Sequence, residues 1–137
     1  MPVSIEDLNE MLDQLWPEAE ARCVEITPDR ALVRVGVGAN QIRPGGFVSG
    51  PTQFAAADLA IWLLVSGARD QVTPMALTSE LSIRFLRPAV GADHLMAEAV
   101  LERLGRSTMV ATARVWTEDE ARPCAVAQGS YAPPRES

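Results

Sequence analysis

Hydrophobic positions recur along this chain at more than one period, and the changes of period mark its elements. Between residues 4 and 15, Ile5, Leu8, Met11, Leu12 and Leu15 fall at spacings of three and four. That pattern predicts an amphipathic helix within an N-terminal segment 1–18, with Ser4 as cap and Asp7 three residues on. Residues 22–27 and 31–37 are strand-like runs on either side of Pro28-Asp29-Arg30 and predict a hairpin. Residues 38–48 hold Gly38, Pro44, Gly45 and Gly46 and predict a loop. The next stretch, 49–66, is apolar on nearly every side. It predicts a helix with Ser49 or Gly50 as cap, Pro51 in its first turn and Gly67 as its stop. At about 16 residues it would be roughly 24 Å long, slightly short for a membrane span.

Beyond residue 74 the period becomes two. Leu81, Ile83 and Phe85 alternate with Glu80, Ser82 and Arg84 in a predicted half-buried strand that ends at Pro88. After a turn at 90–93, Leu95, Ala97, Ala99 and Leu101 alternate with His94, Met96, Glu98 and Glu102 until Gly105. Two further strands are predicted over 107–117 and 123–132, and the tail 133–137 is expected to be loose. Helix, hairpin, apolar helix and then a four-strand meander make an α+β chain. A helix apolar on most sides is best buried by a sheet of five to six antiparallel strands wrapped around it. No repeat or linker interrupts the sequence, so residues 1–137 are expected to form a single domain.

Composition narrows the function. The net charge of −6 argues against a partner chosen for negative charge, nucleic acid or anionic membrane. All 12 basic residues are Arg. A coding bias accounts for that most simply; otherwise any basic patch is built of guanidinium forks that suit phosphate. Cys23 and Cys124 lack metal-type spacing, so neither a metal site nor a cofactor is expected, and reduced thiols fit a cytoplasmic protein. No basic segment with an apolar run marks a signal peptide near Met1.

One residue breaks the apolar helix. Asp58 is the only charged side chain between Arg43 and Arg69. A carboxylate in such a setting is costly unless it is paired or used. It is therefore either structural, paired with an Arg or capping a neighbouring loop, or a working acid or base. Ser49 reads as an N-cap, since no nearby His or Lys would activate its hydroxyl. His94, the only histidine, stands at a turn-to-strand junction and reads as a surface residue.

With these residues in hand, the chain resembles a hotdog-fold thioesterase of the phenylacetic-acid-degradation (PaaI-like) type over about residues 20–132. The likeness rests on Ser49-Gly50-Pro51 ahead of Asp58, on 81–89, on Ala97-Glu98-Ala99, on Gly105-Arg106 and on Gln128-Gly129-Ser130-Tyr131. It implies an acyl-CoA thioesterase acting on a small or medium acyl group, with a dimer or tetramer sharing its active sites between subunits. It further implies that the Gly50 N–H holds the thioester oxygen and that Asp58 is base or nucleophile. Substrate contacts would fall to Ser49, Arg43, Trp62, Arg87 and Arg106.

Departures from the family pattern leave a second reading open. The family's His is Ser49 here, its second Gly is Pro51, and a Thr of some relatives is Trp62. A polar residue upstream falls on Arg43, or on Gln41 or Asn40 if a gap intervenes. A non-catalytic acyl-CoA-binding protein is the alternative; a dehydratase would want a His beside the acid. Spacing speaks independently for shared sites. Eight residues of helix rise about 12 Å, too far for one carbonyl to touch both Gly50 and Asp58 of the same helix.

Overall fold

Ser4 opens α1 (Ile5–Leu15) by a reciprocal cap. Its Oγ accepts from the Asp7 N–H at 3.1 Å, and the Asp7 carboxylate accepts from the Ser4 N–H at 3.4 Å. The apolar stripe Leu8, Met11 and Leu12 is buried, with α1 laid against the first strand of the sheet. After Trp16 the chain makes a short 3₁₀ turn, Pro17–Ala19. The computed structural model describes residues 3–90 and 93–132. The expected tail 133–137, and Gly91 and Ala92 of the expected turn, lie outside the described residues.

The predicted hairpin is β1 (Ala21–Ile26) and β2 (Arg30–Gly36). The expected loop 38–48 is more ordered than its sequence suggests. It holds a 3₁₀ turn at Ala39–Gln41 and a two-stranded ribbon, β3 (Ile42–Arg43) with β4 (Phe47–Val48). Gly45 and Gly46, at φ +99° and +83°, close that ribbon in a conformation side chains resist. Strands of two residues carry no periodicity, so the pattern could not announce them.

Helix α2 (Gly50–Arg69) is the predicted central helix, but Gly67 does not end it. The helix runs on to Arg69 and stops at Asp70, which is left-handed at φ 56° and returns its N–H to the Gly67 and Ser66 carbonyls. Gly67 serves close packing instead. A Cβ there would lie 2.7 Å from the Thr27 carbonyl oxygen and 2.8 Å from Ile26 Cδ1.

Four strands follow: β5 (Leu77–Phe85), β6 (His94–Leu104), β7 (Met109–Trp116) and β8 (Ala125–Ala132). The six-stranded antiparallel sheet has the order β1-β2-β6-β7-β8-β5. The four-strand meander expected from sequence is therefore corrected. Only β6, β7 and β8 run as neighbours; β5 sits at the far edge against β8, and the chain then crosses back to set β6 beside β2. Local alternation identifies a strand but not its neighbour. Along the inner face Ala97, Ala99, Ala111, Ala113 and Ala125 are buried and small, which lets the sheet curve closely onto Ile61, Leu63, Leu64 and Val65 of α2. Phe85, expected to face inward, is 50% exposed at the end of the edge strand.

On the outer face Glu98 is nearly buried and ion-paired to Arg30, with Arg114 at 3.7 Å from its other oxygen. This cluster went unpredicted, because Glu98 reads as an ordinary outward residue in an alternating strand.

Candidate active site

Asp58 lies in the middle of α2 and is half-buried rather than sealed in apolar surroundings. Its carboxylate forms part of the wall of a cavity of about 520 Å³ between α2, α1 and the inner face of the sheet. Most of that wall is apolar: Leu12, Trp16, Val35, Leu59, Trp62 and Leu77. The polar groups are few and lie near one another in the fold. Thr78 Oγ1 donates to Asp58 Oδ1 at 2.9 Å, and the Tyr131 hydroxyl donates to the same oxygen at 2.5 Å. The Tyr131 oxygen also sits 3.1 Å from the carbonyl of Asp58. Among the described residues no hydrogen bond reaches Oδ2. An ion pair does not explain Asp58, since among the described residues no Arg or His lies within salt-bridge distance of it.

Strand register delivers the two hydroxyls. Thr78 and Tyr131 are direct cross-strand partners in the β5–β8 ladder. On β8, Ala125, Ala127, Gly129 and Tyr131 alternate inward. Strict alternation on β5 would put Thr78 outward with Glu80, Ser82 and Arg84, but the register shifts between Thr78 and Glu80. That bulge, one extra residue at Ser79, returns Thr78 to the inner face opposite Tyr131. Burial, and after it the Asp58 carboxylate, push the Tyr131 phenol well above its ordinary range, with Thr78 acting weakly the other way. The phenol is thus a proton donor to Asp58 throughout the working range of pH. No role was assigned to either hydroxyl from sequence: Tyr131 entered only as the end of a family motif, and the bulge that re-aims Thr78 leaves no mark on composition.

Trp62, one turn beyond Asp58, is only 5% exposed and is both core and cavity wall. Trp16 meets it edge-on with ring centroids 5.0 Å apart. Gln41 also faces the cavity, whereas Arg43 lies exposed outside it. Ser49 is the N-cap of α2: its Oγ accepts from the Thr52 N–H at 3.3 Å and lies 2.7 Å from Thr52 Oγ1. Gly50 begins the helix beside the Phe85 ring and outside the cavity wall, and among the described residues its N–H has no acceptor. Arg106 is exposed, and Arg87 donates to the Pro123 carbonyl at 2.7 Å beside a separate surface depression. His94 pairs with Asp93 away from the cavity. One chain thus brings together Asp58, Thr78, Tyr131, Trp62 and Gln41, and leaves Gly50, Ser49 and the three arginines elsewhere.

The thioesterase superfamily model matches residues 45–124, well over half of the chain and the whole of α2. The chain belongs to the thioesterase superfamily. Its enzyme class is accordingly thioester hydrolase. A candidate thioesterase from a Silicibacter species is 28% identical and superposes with a TM-score of 0.82, covering 96% of this chain and 92% of that one. A Haemophilus influenzae thioesterase gives 20% identity and a TM-score of 0.81 over 96% and 91%. The PaaI protein from the E. coli phenylacetic acid degradation operon gives 19% and 0.78 over 97% and 93%. At those lower identities the likeness is one of fold. No curated protein matches the chain. The hotdog architecture expected from sequence holds, and the family expected with it is shown at the level of the thioesterase superfamily. Among the described residues no helix is long and apolar enough to cross a membrane.

Proposed function

We propose that this superfamily member hydrolyses a small or medium acyl-CoA thioester, with Asp58 as general base. The observation that carries the reading is a carboxylate in a largely apolar cavity, held on one oxygen by two hydroxyls while the other lacks a partner among the described residues. Oδ2 takes a proton from water as the water oxygen attacks the thioester carbonyl carbon. The tetrahedral intermediate then breaks its C–S bond, and the thiolate of coenzyme A leaves with the proton that Asp58 returns. A cavity of about 520 Å³ suits an acyl group bounded by Trp16 and Trp62, with the nucleotide end of coenzyme A outside. Arg43, Arg87 and Arg106 are the groups proposed to meet its phosphates, and the amide of Gln41, on the cavity wall, is proposed to touch the thioester.

Negative charge gathers on the carbonyl oxygen in the transition state, and the Gly50 N–H at the start of α2 is the proposed donor to it. About 12 Å of helix separates Gly50 from Asp58, so the donor comes from a second copy of the chain. The active form is therefore a homo-oligomer, with a dimer as the minimum.

Ser49 and Pro51 favour a second reading, an acyl-CoA-binding protein without turnover. The Ser49 hydroxyl is engaged in capping, and Pro51 has no N–H to offer an oxyanion. Release of free coenzyme A from a panel of acyl-CoA thioesters separates the two. Hydrolysis predicts release, and Asp58→Asn is expected to lower it on the order of 10²–10⁴-fold in a folded protein. Thermal stabilisation by acyl-CoA without any release would instead establish the binding protein.

A further inference from the structure

We infer that Tyr131 is a positioning residue for the Asp58 carboxylate, fixing Oδ1 so that Oδ2 alone serves as the working oxygen. The inference rests on the reading of Asp58 as base and adds a residue to it. A carboxylate on a helix rotates about χ1 and χ2, and a base whose two oxygens exchange places spends part of its time misaligned. Here Oδ1 receives a phenol at 2.5 Å and a threonine hydroxyl at 2.9 Å, from residues paired across the β5–β8 ladder. Tyr131 is 2% exposed, so its ring is held by packing, and of the two acceptors its hydroxyl reaches, Oδ1 at 2.5 Å is nearer than the Asp58 carbonyl at 3.1 Å. Thr78 is the softer of the two holders, standing exposed beside the bulge near the start of β5. Both hydroxyls donate to the same oxygen, which leaves the second one for proton transfer.

Tyr131→Phe keeps the ring and removes only this donor. We expect kcat to fall roughly 10- to 100-fold with KM little changed, as suits loss of a hydrogen bond to a charged group. A merely structural role would lower the folded fraction instead, and would leave kcat per folded molecule at the wild-type value. Asp58→Asn, measured beside it, keeps the two failures apart. If Asp58→Asn stays active, the reading of Asp58 as base is overturned, and this inference with it. If Asp58→Asn is inactive while folded Tyr131→Phe keeps wild-type kcat, only the role of Tyr131 is overturned. Should Tyr131→Phe fail to fold, proteins that keep Tyr131 still decide. Tyr131 is the only tyrosine in the chain, so labelling with [¹³Cζ]tyrosine gives one carbon signal in the NMR spectrum. That signal is expected to move when Asp58→Asn replaces the charged acceptor. A signal unchanged by Asp58→Asn would overturn the inference.

Discussion

Buried titratable side chains are where single residues of this fold leave a measurable mark. Cys23 is 3% exposed, and burial pushes its thiol from 9.0 up to about 11. In the unfolded chain the thiol ionises near 9.0, so between that pH and about 11 the unfolded state has lost a proton that the folded state keeps. Stability from this group is fully present below pH 9.0 and drains away as pH rises through 11. Cys23→Ala is expected to flatten that alkaline loss, read from urea midpoints at a series of pH values. Parallel losses in the two proteins would mean another group is responsible. Asp58 was legible in the sequence for an opposite reason: a lone charge in an apolar helix is conspicuous. Its surroundings were not legible. Tyr131 is hidden among inward-facing residues of β8, and Thr78 reaches the inner face only through the bulge at Ser79.

Among the elements, α2 shows how a correct helix can be given a wrong reason for its end. Gly67 resembles a terminator, yet it is interior and stands where the β1–β2 hairpin touches the helix. In an exposed helix Gly→Ala would stabilise by up to about 1 kcal/mol. Here the added Cβ meets backbone, so Gly67→Ala is expected to cost about 1–3 kcal/mol, measured by urea unfolding. A stabilised variant would show that the contact relaxes freely. The placement of β5 lay beyond local pattern altogether, because alternation reports which face a strand buries and not which strand lies beside it. The first helix also gains a role that its amphipathic stripe did not disclose: Leu12 on α1 and Trp16 just after it wall the cavity, with Trp16 against Trp62. Trp16→Ala is expected to shift the preferred substrate towards longer acyl chains, seen as a changed order of kcat/KM across an acyl-CoA series. An unchanged order would place the chain-length limit elsewhere.

For the whole molecule the decisive relation is between Asp58 and Gly50, one on the cavity wall and the other outside it in the same chain. The fold was largely legible from the sequence because alternation, apolar helix and caps all pointed to one architecture; the proposed assembly rests on helix rise, a matter of length rather than pattern. Subunit complementation tests this shared site most directly. Gly50→Pro removes the proposed oxyanion donor, and Ser49, at φ −65° and ψ 153°, already has the backbone that a following proline prefers. Asp58→Asn removes the base. Each variant alone is expected to be inactive. Refolded together in equal amounts, they are expected to recover roughly a quarter of wild-type activity per chain, since half of randomly formed dimers pair one of each and carry one intact site of two. Mixed oligomers, verified by native mass spectrometry, that stay as inactive as their parents would contradict a site built from Gly50 of one subunit and Asp58 of another.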